Sequence, residues 1–321
     1  MPRLSHTRDA LLLSAAVLLG GLIGGALPLL GLPLAATGLA GLIFSGRVVA
    51  AVAVGGLAVA LGTFLAPADA VLLAPAFVAM LFAVGGMQRR SALMNVALLT
   101  SVVTAGTVAR TALVAWLQGT TLVALTRQGS EAAIASLAAA ANASSSDGMI
   151  FGVDPETLAD LMVKLWPFDH FASALLVAVV TVAVAGWAAA RTGAEVRRLP
   201  RLAVLDLSVH TLWPLIGAFA FLAAGRAFDG ADIATTIGLN LLLGVRLLLL
   251  AQGLGVAAAF YSRVGIGRPM RTIGYVLLVV ADMMLPLVSM VGLVDFWANF
   301  RKLPREEGSS ASGLEGKTSG Q

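Results

Sequence analysis

The sequence predicts an all-α, polytopic transmembrane helical bundle of eight to nine spans. Hydrophobic residues make up 59% of the 321 positions and charged residues only 12%, with a mean hydropathy of +0.93. That composition lies outside the range of ordinary soluble domains. The apolar residues also fall in repeated runs near the roughly 20 positions that an α-helix needs to cross a bilayer. Finally, the segments between runs are rich in arginine, as the positive-inside rule expects of cytoplasmic loops. The same arginines account for the pI near 10.1, so the partner implied is the lipid bilayer and no nucleic acid.

Arg3 and Arg8 precede the first run, 10–30, which is read as an uncleaved first helix rather than a cleaved secretory signal, because more spans follow. A short run at 32–44 comes next, then runs at 48–65, 71–86 and 92–117. From 118 to 165 the chain turns polar, with Glu131, Asp147, Asp154, Glu156 and Asp160 against Arg127 and Lys164. This reads as an aqueous loop with amphipathic helices at 120–140 and 155–165, Pro155 suiting a first helical turn. Four runs follow at 168–190, 212–224, 233–260 and 273–294, and the Gly/Ser-rich stretch 304–321 is expected to be disordered. The chain thus divides into a six-span core, 1–190, with an extracytoplasmic loop at 118–165, then C-terminal membrane helices at 191–303, and a tail.

Charge counting supports a cytoplasmic N-terminus. Arg47, Arg89, Arg90, Arg191, Arg197, Arg198, Arg201, Arg263, Arg268 and Arg271 then all fall inside, and the acidic loop falls outside. The short run 32–44 must cross, because removing it would invert every later loop. One conflict remains. Nine crossings would put Arg301, Lys302 and Arg305 outside, so either the last run, interrupted by Asp282 and Pro286, is broken or re-entrant, or another late run fails to cross.

Polar and small residues mark candidate sites. Ala16, Gly20 and Gly24 recur every four residues, with Gly21 and Gly25 one position on. Such a ridge permits close helix contact, either within the chain or with a separate membrane subunit. Thr100, Thr104, Thr107 and Thr111 draw one line down the fifth long run, with Arg110 at its edge. They are expected to contact a small-molecule ligand, preferably anionic, since a guanidinium grips such groups bidentately; alternatively Arg110 snorkels and the threonines bond to their own helix. Thr236, Asn240 and Gly244 make a second short line beside Arg246, whose obvious partner is Asp282. Charges at that depth cost a few kcal/mol each, on the order of 3, unless partnered. A charge-swapped double mutant of this pair is expected to recover expression lost by either single mutant. Trp116, Trp166 and Trp213 read as interfacial anchors, and His210 as structural.

Enzyme motifs fail. Gly316-Lys317-Thr318 imitates a P-loop end, but its first glycine would be Ala311; Gly265 and Gly267 lack a third glycine at Met270. No G-x-S-x-G elbow occurs, three histidines supply no zinc motif, and the absence of cysteine removes thiolate and redox chemistry. No catalytic activity, cofactor or metal is expected.

Leu27-Pro28-Leu29-Leu30, Leu32-Pro33-Leu34, Gly46-Arg47, Gln252-Gly253-Leu254-Gly255 and the ending Gly292 to Lys302 resemble the YybS-like family of uncharacterised bacterial membrane proteins. That family is distantly similar to the S-components of energy-coupling-factor transporters. The resemblance implies an inner-membrane location, a six-helix core with a short second helix, an outward-facing pocket and a first-helix ridge that docks a coupling subunit. In the competing reading the chain is a non-catalytic scaffold of cell-envelope assembly, comparable to MreD-like proteins. Asp295, Trp297 and Arg301 would then form its partner-contact surface. Between Arg110 and the Arg246–Asp282 pair, the first is the expected ligand site and the second a structural lock.

Overall fold

The computed structural model describes residues 6–141, 154–228 and 232–303; the expected disordered tail and the part of the polar loop carrying Asp147 lie outside the described residues. Those described form helices α1 (His6–Gly24), α2 (Pro28–Phe44), α3 (Val48–Leu65), α4 (Ala70–Gly85), α5 (Ala92–Leu117), α6 (Leu122–Ala141), α7 (Pro155–Arg191), α8 (Leu212–Ala227), α9 (Asp232–Val264), α10 (Arg268–Met284) and α11 (Leu287–Ala298), with short 3-10 turns between some of them. Five helices are long and apolar enough to cross a membrane, or six if α10 and α11 count as one broken span. α1 and α2 are shorter apolar helices.

Two element boundaries differ from the sequence expectation, and the last run takes the broken form that was one of its expected alternatives. The expected first run to residue 30 stops at Gly24, because Pro28 opens α2 and Leu27 before it is held out of the helical region at φ −129° and ψ 72°. The expected amphipathic helix 155–165 and the span 168–190 are one helix, α7, running through Pro167. The last run breaks at Leu285–Pro286 into α10 and α11, bent by 99°; Pro286 can neither donate to the ladder nor leave residue 285 helical.

The chain falls into two compact units: Met1–Leu199 with Ile216–Gly244, and Pro200–Leu215 with Val245–Gln321. In the first, α1 and α2 pack backbone against backbone. A Cβ at Gly20 would stand 2.6 Å from the Gly31 carbonyl oxygen, and one at Gly31 2.6 Å from that of Gly20. Neither glycine can gain a side chain without separating the helices. Gly24 meets Leu32 and Leu73, while Ala16 is half-buried. Gly20 and Gly24 of the ridge are therefore packed against the chain's own α2, the first of the two readings that the ridge allows. Gly21 likewise closes on Ala58 of α3.

The second unit joins residues 200–215 to the later part of α9, α10 and α11. Its close approach is again between glycines. A Cβ at Gly292 would lie 2.8 Å from the Gly253 nitrogen, and one at Gly255 2.6 Å from the Leu202 carbonyl oxygen. The glycines of the Gln252–Gly255 stretch and the ending are thus contact points between α9, α11 and the segment before α8.

Candidate functional site

The threonine line divides by hydrogen bonding. Thr107 donates to Val103 and Thr104 carbonyls, both at 2.9 Å, and Thr111 to the Thr107 carbonyl at 2.8 Å, the usual way for a helical hydroxyl to satisfy itself. Thr100 and Thr104 do not: their hydroxyls are buried and have no protein partner. Both line a groove of about 560 Å³ with Ser101, Ala105, Val108 and Phe171, the last from α7. Leaving a buried hydroxyl unpaired costs about 1–3 kcal/mol. Among the described residues the other unpartnered buried side-chain groups are Asn95, at both amide atoms, and Thr181.

Arg110 does not join that groove. At about 100° per residue it stands about 120° around the helix from Thr104, on the side where Gly106 packs against Leu72 of α4. There its Nε donates to Asp69 in the turn before α4, and Asp69 is 8% exposed at its side chain. Gly25 leaves room for that carboxylate, since a Cβ at Gly25 would collide with it. A ligand at Arg110 would meet a charge pair instead of a lone cation, which removes the electrostatic reason for preferring an anion.

Asn240 completes another helix. Pro167 interrupts the α7 ladder because it has no N–H, and Phe168 would ordinarily donate to the Lys164 carbonyl. Instead Phe168 N–H donates to Asn240 Oδ1 at 2.7 Å, and Asn240 Nδ2 donates to the Lys164 carbonyl at 2.8 Å. The α9 amide is inserted into the missing turn. A second donation to the Thr236 carbonyl at 2.7 Å fixes its orientation.

In the second unit, Arg246 and Asp282 meet, with Nε 3.4 Å from Oδ2. Their environment explains why. Asp282 Oδ1 accepts the Ser289 N–H at 2.8 Å and Oδ2 the Ser289 hydroxyl at 2.8 Å. Ser289 is the third residue of α11, whose N–H has no acceptor inside its own helix. Arg246 Nη2 donates to the Asp282 main-chain carbonyl at the end of α10. The pair therefore satisfies both ends of the broken helix, with the carboxylate at the N-terminal end that favours it.

A larger network lies at the end of α11. Arg301 Nη2 is 2.7 Å from Asp295 Oδ2 and 3.1 Å from Asp206 Oδ1, and Nη1 donates to the Leu205 carbonyl. Asp295 Oδ1 also accepts the Phe300 N–H at 2.9 Å, and Gln252 accepts the Leu207 N–H at 3.1 Å while reaching Asp295 at 3.4 Å. Asp295 and Gln252 are 0% exposed and Arg301 6%. Of the three residues expected at a partner-contact surface, Asp295 and Arg301 are buried in the network that holds residues 205–207, and Trp297 is exposed.

The family described as "Predicted membrane protein (DUF2232)" matches residues 11–296. The chain belongs to that family. No curated protein and no solved structure matches it. Family membership and the apolar helices agree on an integral membrane protein that contacts lipid.

Sequence reasoning missed the partners more than the charges. Asp69 lies between two runs and reads as a loop acid; its signal is the Gly25 that makes room for it. Ser289 and Asp206 carry no signal of their own. Gln252 is visible within the Gln252–Gly255 stretch, and Asn95 is a lone amide inside an apolar run with no periodic partner to mark it.

Proposed function

We propose that this protein is a bacterial inner-membrane protein whose first unit binds a small solute, the activity implied by the resemblance to S-components of energy-coupling-factor transporters, and that this solute is largely apolar. The supporting observation is that Thr100 and Thr104, which line the α5 groove with Phe171, carry buried hydroxyls with no protein partner. A solute that offers one or two hydrogen-bonding groups on an apolar body would satisfy them. Binding, with no catalytic step, is the activity proposed. The test is to extract and quantify by mass spectrometry the small molecules that co-purify with the protein. The Thr100→Val/Thr104→Val variant should lose a species that wild type retains; equal yields would defeat the reading.

The proposed topology has a cytoplasmic N-terminus, eight crossings by α1–α5 and α7–α9, and a final α10–α11 pair that enters and leaves on the cytoplasmic side. Arg263 at the end of α9 donates to the Phe300 carbonyl at 3.1 Å, and Arg301 reaches Leu205 and Asp206 in the segment before α8. Under this topology Arg301 and Lys302 return to the side that the positive-inside rule assigns to arginine-rich loops. The native chain has no cysteine, so single cysteines can be labelled cleanly. Ser310→Cys should behave like Ser45→Cys at the cytoplasmic end of α2 and unlike Ser136→Cys in the α6 loop; matching Ser136→Cys instead would refute the re-entrant pair.

A further inference from the structure

The ends of α4 and α7 bring arginines to the mouths of two apolar grooves. One groove, about 630 Å³, runs between α4 and α5 past Pro75, Val78, Phe82, Leu98 and Val102 and ends at Arg90. The second, about 220 Å³, follows α7 past Val182, Gly186 and Trp187 and ends at Arg198. The two ends are joined directly, because the Arg197 N–H donates to the Met87 carbonyl at 2.9 Å. Arg90 folds back over Gly86, where a Cβ would stand 3.2 Å from its Cδ; the glycine gives the side chain that path.

Arg89, Arg90, Arg197 and Arg198 are all exposed, and none forms an ion pair among the described residues. Glu195, the sole acid between residues 191 and 201, is exposed too and forms no ion pair with them among the described residues. Nearby, Arg191 stacks on the Trp187 ring at 3.8 Å. Val78 and Phe82 are 50% and 60% exposed, so the larger groove opens sideways along helices that can span the bilayer. The arrangement offers cationic charge at a helix end and an apolar slot running away from it.

We infer that this junction binds an anionic glycerophospholipid, its phosphate on Arg90 and Arg198 and an acyl chain in the α4–α5 groove. The charge asks for an anion, and a soluble anion would leave the groove empty. Each arginine near an anionic lipid surface is worth roughly fivefold in binding. Topogenic arginines alone need no groove, and here one begins at Arg90 and another at Arg198.

The test is native mass spectrometry of the detergent-purified full chain with phosphatidylglycerol or phosphatidylcholine of identical chains. Wild type should retain phosphatidylglycerol preferentially. Arg90→Gln should weaken that retention roughly fivefold, and Arg90→Gln/Arg198→Gln about 25-fold if the two act independently. Arg268→Gln/Arg271→Gln should leave it unchanged. Should the arginine variants fail to fold, Val78→Trp, which fills the groove at an exposed position, should by itself reduce retention. The inference is overturned by a wild type with no headgroup preference, by equal loss in the Arg268/Arg271 control, by displacement with glycerol 3-phosphate, or by full retention in Val78→Trp.

Discussion

The two units use buried polar groups in opposite ways. In the second, the buried charges and the buried Gln252 are tied to backbone that has left regular structure: Asp282 and Arg246 to the α10–α11 break, Arg301 and Gln252 to residues 205–207. In the first, Asn240 plays the same part at Pro167, but the hydroxyls of Thr100, Thr104 and Thr181 and the amide of Asn95 have no protein partner. A bilayer offers no water to irregular backbone, so side chains must supply its hydrogen bonds. Polar groups left over after that repair are the ones available to something else.

Breaking the repairs should cost most where charge is buried deepest. Arg301→Leu, which strands the Asp295 carboxylate, is expected to destabilise by about 3–5 kcal/mol, read as a fall in melting temperature or loss of folded protein in detergent. Asp295→Leu/Arg301→Leu should be no worse than the single change, since the uncompensated charge is gone. Asp282→Ala should follow at about 3 kcal/mol, because it strands Arg246 and uncaps Ser289. The charge-swapped Arg246/Asp282 double mutant, expected from sequence to recover, is now expected to fail: an arginine at 282 cannot accept the Ser289 N–H. Recovery would show that the two charges matter to each other more than to the helix ends.

Asn240→Leu should cost about 1–3 kcal/mol in the presence of Pro167. In a Pro167→Ala background α7 can close its own ladder, so the cost should shrink, with a coupling above about 0.5 kcal/mol in a double-mutant cycle. Additive effects would separate Asn240 from the proline gap.

The legible parts of this molecule were those written as periodicity and interruption. Apolar runs gave the helices, and charges inside such runs pointed to Arg246 and Asp282 as a pair. What stayed hidden depended on long-range return of the chain. Asp295 and Arg301 sit where a run ends, a position that is ordinarily interfacial, and nothing local says that residues 205–207 come back to cover them. Arg110 looked solitary because its partner Asp69 is 41 positions away. Asn240 reads from the sequence only as part of a short polar line, and 155–165 and 168–190 as separate segments; the meeting of Asn240 with Phe168 and Lys164 is what shows one continuous helix. The small-residue ridge on α1 was visible, but its occupant, α2, was not.

The comparison is tested most directly by Thr100→Val/Thr104→Val, measured for melting temperature and for co-purified small molecule in the same preparation. Removing hydroxyls that are buried and bond to nothing in the protein should leave the stability of the chain unchanged or raise it, by up to about 1–3 kcal/mol for each hydroxyl, while the bound species disappears. A clear fall in stability, with the bound species retained, would mean that these threonines serve the fold like the polar groups of the second unit and that the groove is not a binding site.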